Sequence, residues 1–280
     1  MEDNALREFI IRSLAEDTGS GDHTSLACIL PGSPGKARLV IKDSGILAGV
    51  RIAREVFTVV DPGLRTEDFL SDGDKIQPGD IAFHVSGHQQ SILRAERLTL
   101  NIMQRMSGIA TATRQYTDRI EGLKTRILDT RKTTPGIRFL EKEAVRIGGG
   151  VNHRMGLYDM IMIKDNHIDY AGGIEEAIGK TRRYLEMNNM NLKVEIEARN
   201  IEDVRRIVSF GNIDRIMLDN FSVEDTRRAV EEIGHRYETE SSGGITLETV
   251  RDYAECGVDF ISVGALTHHI RSLDMSLKAF

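Results

Sequence analysis

The stretch LKVEIEARNIEDVRRIVSFGNIDRIMLDNFSVEDTRRAVEEI, Leu192 to Ile233, decides the fold. It runs twice through one pattern. LKVEIEA and DRIMLDN are short, largely apolar runs that fit buried strands. NIEDVRRIVSF and SVEDTRRAVEEI follow them as helical segments. Parallel strands need helical crossovers of this length, so the repeat favours a parallel sheet.

The pattern extends in both directions. TRILDT and DMIMIKD precede it, and RYETES and VDFISVGA follow. IEEAIGKTRRYLE and ITLETVRDYAECG supply further helices. From Gly122 onward the expectation is a parallel sheet or β/α barrel, whose active site gathers at the C-terminal strand ends. Those ends are polar here. Asp129, Arg131 and Lys132 close the first strand, Lys164 and Asp165 the second, and Asp219 the fourth. Glu195 and Glu197 alternate along the third, so they share one face.

Before Gly122 the pattern differs. ALREFIIRSLAE reads as an amphipathic helix, and GSGDHTS breaks it. KARLVIKD and GILAGV read as short strands, RIAREVFTVV as a helix, and SDGDKIQPGDIAFHVSG as two turns and an alternating strand. A long helix is expected from about Ser91 to Tyr116. Ile92, Ala95, Leu98, Ile102, Met106 and Ile109 form its apolar stripe, and Ser107-Gly108 is expected to interrupt or bend it. Arg97 lies among Ala95, Leu98 and Leu100, near the apolar side.

Composition narrows the function. The chain has 280 residues, a formal net charge of -6, 40% hydrophobic and 5% aromatic residues, and no tryptophan. That length suits one large or two smaller domains. Few aromatics and net negative charge argue against a general nucleic-acid binder. Cys28 and Cys256 have no paired Cys or His spacing, which argues against a disulfide framework or structural zinc. MEDNALREF does not read as a signal peptide, and no apolar run reaches the roughly 18 residues of a membrane span. The expectation is a soluble cytosolic protein.

The charged strand ends suggest a polyanion pocket. In LDTRKTTPG, Arg131 offers a planar fork for carboxylate or phosphate, and Lys132 a compact charge. GGGVNHRMG places His153 and Arg154 after three glycines, which permit close backbone approach. Lys164 ends a strongly apolar strand. Glu197 and Asp219 could serve a metal, ribose hydroxyls or proton transfer, or simply pair with Arg131 or Lys164. Glu195 is a rival to Glu197, and Asp165, His167 and Asp169 either join the site or cap a loop. The Gly-rich turns ESSGGIT and SVGALTH suit a phosphate cup.

DTRKTTPGIRFLEKEAVRIGGGVNHRMGLYDMIMIKDNHI, Asp129 to Ile168, closely resembles quinolinate phosphoribosyltransferase. EDTGSGDHTS, ERLTLNIMQRMSGIATAT, VEIEA, IMLDNF, SSGGI and SVGALTH extend the likeness over nearly the whole chain. The resemblance implies an N-terminal sandwich-like α+β domain (1–118) and an incomplete α/β barrel (119–266). A tail (267–280) is expected to pack back on the N-terminal domain. It also implies transfer of phosphoribose from phosphoribosyl pyrophosphate to quinolinate with decarboxylation, giving nicotinate mononucleotide for NAD biosynthesis. Mg²⁺ and no organic cofactor are expected, in a homodimer whose Arg97 crosses to the other subunit's site.

Arg131, His153 and Arg154 are then expected to hold the quinolinate carboxylates, with Lys132 and Lys164 between quinolinate and pyrophosphate. Glu197 and Asp219 match acidic positions near the ribose and metal. Ser242, Gly243, Gly244, Gly264 and Ala265 match the 5′-phosphate loops. Two alternatives are a related pyrophosphorylase-like protein of molybdenum-uptake gene clusters, which NHR at 152–154 disfavours, and a non-catalytic sugar-phosphate-binding regulator.

Overall fold

A computed structural model describes residues 3–280. They form two compact units. The first holds the described residues up to Ala112, Phe139–Gly148 and His269–Phe280, and the second holds Thr113–Arg138 and Gly149–His268.

In the first unit the chain order is α1 (Asp3–Thr18), α2 (His23–Cys28), β1 (Pro34–Ile41), β2 (Gly45–Ile46), α3 (Val50–Val60), β3 (Arg65–Asp68), β4 (Lys75–Ile76) and β5 (Ile81–His88). The helix α4 (Gln89–Arg119) follows, and the division between units falls inside it. One antiparallel sheet runs from the last strand of the chain, Met275–Ala279, through β1 and β5 to β3. GILAGV pairs only over Gly45–Ile46, because the chain turns into α3 soon after. In α3, Val50, Ile52, Ala53, Val56, Phe57 and Val60 are buried, one apolar face of a helix. Asp72 accepts from the Gly49 and Val50 N–H groups (2.6 and 2.8 Å), an anion at a helix N-terminus.

The expected interruption of the long helix does not occur. α4 continues through Ser107-Gly108, burying Ile92, Ala95, Ile102, Met106 and Ile109. Ser107 Oγ accepts from the Ala48 N–H (2.9 Å) and donates to the Ala48 carbonyl (3.2 Å). Gly108 is there for close approach, since a Cβ would lie 2.3 Å from the Arg271 carbonyl oxygen.

The second unit continues with β6 (Arg126–Leu128). The helix α5 (Arg138–Ile147) comes next in sequence, but Phe139–Gly148 groups with the first unit rather than with the barrel. Its partners explain this: Phe139 meets Phe9 edge-on at 5.6 Å, and buried Glu141 accepts from Arg105 at 2.6 Å. Then follow β7 (Ile161–Ile163), α6 (Asp165–Ala171), α7 (Ile174–Met187), β8 (Val194–Ala198), α8 (Ile201–Phe210), β9 (Arg215–Asp219) and α9 (Val223–Ile233). The order closes with β10 (Glu238–Ser242), α10 (Val250–Ala254), β11 (Phe260–Ser262), α11 (Ala265–His268) and the returning strand, β12.

The six parallel strands lie in the order β6-β11-β10-β9-β8-β7, an incomplete α/β barrel. All five residues of β8 are buried, as expected of a strand covered on both faces. The helices start on side-chain caps: Asn200 accepts from the Asp203 N–H (2.9 Å), and Ser222 from the Asp225 N–H (3.1 Å). ITLETVRDYAECG is helical only over Val250–Ala254. Its start is a turn in which Thr249 Oγ1 accepts from the Thr246 N–H (3.0 Å).

Candidate active site

A cavity of 360 Å³ opens at the C-terminal ends of the barrel strands. Arg131, Lys132, Arg154, Lys164, Glu197 and Asp219 line it, with His153 and Ser242. The parallel register brings these sequence-distant strand ends together. Glu197 stands beside Met217, and Asp219 beside Ser242.

Arg131 and Lys132 leave β6 with exposed side chains that make no hydrogen bond or ion pair with other described residues. Their turn is nevertheless fixed. The Lys132 N–H donates to Thr130 Oγ1 (3.0 Å), and its carbonyl accepts from Thr267 Oγ1 (2.9 Å). A braced backbone carrying open cations suits an anionic ligand. Buried Asp129 faces away from this role: it accepts from Asn152 Nδ2 (2.5 Å) and the His153 N–H (2.8 Å), tying β6 to the turn that carries Arg154. Arg154 is buried and donates to the Met160 carbonyl (3.1 Å). Burial, then the charge of Arg131, pushes its pKa down, the mark of crowded cations.

Lys164 ends β7 and pairs with Glu197 of β8, which also accepts from the Asp165 N–H (3.2 Å). The ion pair left open as an alternative for Glu197 is therefore present. Burial, then the charge of Glu197, raises the pKa of Asp219. His167 Nδ1 accepts from the Lys164 N–H (3.0 Å), and Asp169 pairs with Arg199 (3.1 Å), so both shape the loop.

The Gly-rich turns are tightly specified. Gly243 has φ +103°, and a Cβ there would lie 2.2 Å from Asn220 Oδ1. The Asn220 N–H donates to the Ser242 carbonyl (2.8 Å), locking the β9 and β10 ends together. At Gly264 a Cβ would fall 2.9 Å from His268 Nε2 and 3.2 Å from Lys132 Cδ. Ala265 follows as the first residue of α11.

Beneath the mouth lies a buried set of which sequence reading named His153 and Glu195 but missed Arg215 and Glu240. His153 Nε2 stands 3.0 Å from Glu195 Oε2 and 3.3 Å from Glu240 Oε2. Arg215 Nη1 is 2.9 Å from Glu240 Oε2, and its guanidinium stacks 4.1 Å from the Phe260 ring centre. Burial alone would lower the His153 pKa, but hydrogen bonding to Glu195 and Glu240 outweighs it and pushes it up to about 9. Burial, then the charge of Glu240, pushes Glu195 up to about 7. His153 Nδ1 accepts from the Arg154 N–H (2.7 Å). A backbone N–H can only donate, so it opposes a second ring proton, whereas the carboxylates favour one. Both place a proton on Nε2. The signal was available in the sequence as period-two spacing: Glu195, Arg215 and Glu240 precede Glu197, Met217 and Ser242 by two residues.

Arg97 belongs to the first unit. It is exposed on α4, with no hydrogen bond or ion pair to other described residues.

Comparison with known proteins decides the lineage. The pattern of the quinolinate phosphoribosyl transferase N-terminal domain matches residues 22–107, and that of its C-terminal domain residues 109–278. The chain belongs to the quinolinate phosphoribosyltransferase family. Within that family it is 45% identical to the tobacco (Nicotiana tabacum) protein named quinolinate phosphoribosyltransferase [decarboxylating] 2b, mitochondrial, over 98% of this chain and 82% of that one. It is 42% identical to the probable nicotinate-nucleotide pyrophosphorylase [carboxylating] of Bacillus subtilis, over 97% and 92%. NadC from Streptococcus pyogenes superposes with a TM-score of 0.94 at 36% identity, covering 99% of this chain and 97% of that one. The nicotinate-nucleotide pyrophosphorylase from Francisella tularensis gives 0.93 at 38%, covering 100% and 98%. No helix among the described residues is long and apolar enough to cross a membrane.

Proposed function

We propose that the chain transfers the phosphoribosyl group of phosphoribosyl pyrophosphate to quinolinate with loss of CO₂, giving nicotinate mononucleotide and pyrophosphate for NAD biosynthesis. Membership of the family supports this. The observation that carries it to this chain is the barrel-mouth cavity, where Arg131, Lys132, Arg154 and Lys164 face an acidic pair and a glycine-bounded turn. Such a pocket suits two anionic substrates held side by side.

Arg131 and Arg154 offer forks to the two quinolinate carboxylates. Lys132 and Lys164 supply charge where pyrophosphate departs. The Ser242–Gly244 turn and the Gly264-Ala265 turn receive the 5′-phosphate through backbone N–H groups. The pyridine nitrogen attacks ribose C1, the C1–oxygen bond breaks, and its electrons leave with pyrophosphate. The ring nitrogen is now cationic, so the electron pair left at C2 when CO₂ departs is stabilised beside it. The substrate ring is thus the electron sink, and no organic cofactor is needed. Holding both reactants in line supplies much of the rate.

Glu197 and Asp219 fit an indirect Mg²⁺ site. Both present hard oxygen donors, and the Asp219 pKa is raised by burial and then by the like charge of Glu197, which a cation would relieve. When bound, Mg²⁺ neutralises charge on the pyrophosphate. The His153, Glu195 and Glu240 cluster brings possible ligand atoms within 4.8 Å of one another, but Arg215 already supplies positive charge there.

A homodimer is part of this reading, with the exposed, unpaired Arg97 reaching the site of the other subunit. A cytoplasmic location is part of this reading, whereas the tobacco relative is named mitochondrial. Turnover tests the whole reading. Nicotinate mononucleotide should form from quinolinate, phosphoribosyl pyrophosphate and Mg²⁺, and nicotinic acid, lacking the 2-carboxylate, should be a poor replacement. Product from nicotinic acid but none from quinolinate would sink it. Binding of phosphoribosyl pyrophosphate without any turnover would favour a regulator.

A further inference from the structure

The buried set beneath the mouth has no part in the chemistry above. We propose that Glu195 and Glu240 are positioning residues that hold His153 from below. His153 then serves by fixing the turn that carries Arg154, rather than by donating a hydrogen bond to the substrate dianion. This rests on the quinolinate reading and deepens it.

Burial is the first support. The His153 side chain is only 4% exposed, so it offers a ligand little surface, although it borders the cavity. Its nitrogens also face protein groups, Nε2 at ion-pair distance and Nδ1 through a hydrogen bond. Nε2 lies between two carboxylates, and Nδ1 accepts from the Arg154 N–H. The backbone N–H of His153 is held by Asp129. The turn is thus pinned on both sides of the residue that precedes Arg154. Arg154 donates one Nη1 bond to the Met160 carbonyl, which leaves other donors of its fork for the cavity.

Charge is the second support. Buried carboxylates are stable only when compensated. Arg215 on β9 lies between Glu195 on β8 and Glu240 on β10, within 4.0 and 2.9 Å of them, and His153 completes the set. Four cations crowd the mouth above. Glu195 and Glu240, one step down β8 and β10 from the mouth, face His153 from the side away from the substrate, and Arg215 on β9 balances their charge, so the floor stays polar without competing for the ligand.

The test combines a spectroscopic readout with kinetics on the full-length protein. With ¹⁵N-labelled histidine, the His153 Nε2–H resonance is identified by its loss in His153→Gln. It should persist, little shifted, when quinolinate is added to the wild-type protein. Glu240→Gln and Glu195→Gln should shift that resonance. Each should raise KM for quinolinate about tenfold while KM for phosphoribosyl pyrophosphate stays within about twofold. A wild-type Nε2–H resonance that moves strongly or disappears on quinolinate binding would show the ring donating to substrate and overturn the proposal. Unchanged quinolinate KM in both variants, or an equal rise in both KM values with a lowered Tm, would do the same. If neither variant folds, the wild-type resonance decides. If the wild-type protein does not turn over quinolinate, the functional reading fails separately, while the resonance still reports whether the carboxylates hold the ring.

Discussion

Asp219 shows how a site works against the stability of the fold. Burial and the charge of Glu197 raise its pKa in the folded chain. A raised carboxylate contributes stability below its unfolded pKa and loses it as pH rises through the folded value. At pH 7 its charge is therefore a net cost. Asp219→Asn should raise Tm at pH 7 by about 1–3 °C while impairing turnover, and the gain should vanish near pH 3. Calorimetry at both pH values measures this, and an unchanged or lowered Tm at pH 7 would refute it. Lys164 belongs to the other side of the ledger. Lys164→Ala should lower kcat by about a hundredfold or more through lost charge stabilisation, and single-turnover kinetics separates that from binding. Arg131→Ala should instead act on quinolinate binding, costing roughly 1.5–3 kcal/mol for a lost charged hydrogen bond. Titration calorimetry with quinolinate would show the loss. These mouth residues were legible because strand ends are easily marked in a sequence. Glu240 and Arg215 of the buried set were not, since they look like ordinary charged residues until the register places them inside the barrel.

At the scale of elements, the repeated strand–helix pattern was legible because each unit carries its own period. Tertiary contact overrode local signal where two segments meet. Ser107-Gly108 reads as a break, yet α4 passes through it unbroken because the glycine admits the Arg271 carbonyl. Likewise α5 lies between two barrel strands in sequence, but its contacts with Phe9 and Arg105 group it with the first unit. Gly108→Ala should destabilise by about 1–3 kcal/mol, because the obstructing atom is backbone and cannot rotate away. Urea unfolding would measure it, and a loss below about 0.5 kcal/mol would show that the Arg271 segment yields easily. Gly243→Ala meets both a positive φ and Asn220, so it should weaken phosphoribosyl pyrophosphate more than quinolinate.

For the whole molecule, the sharpest prediction concerns shared sites. Arg97→Ala and Lys164→Ala should each be nearly inactive alone. If Arg97 acts across a dimer, exchanged subunits place both changes in one site and leave the other intact. A random equal mixture should then recover about a quarter of wild-type activity with independent sites. No recovery after verified exchange would assign Arg97 to its own subunit. The sheet of the first unit carries a different consequence. β1 spans Pro34–Ile41, yet its neighbour on one side, Met275–Ala279, is made last. During synthesis, then, the barrel strands emerge while one edge of β1 waits uncovered, with its N–H and carbonyl groups open to any passing strand. Nascent chains are exposed to mispairing for the time taken to translate more than two hundred intervening residues, and a ribosome stalled late would release a chain that is folded in its barrel and adhesive at its beginning.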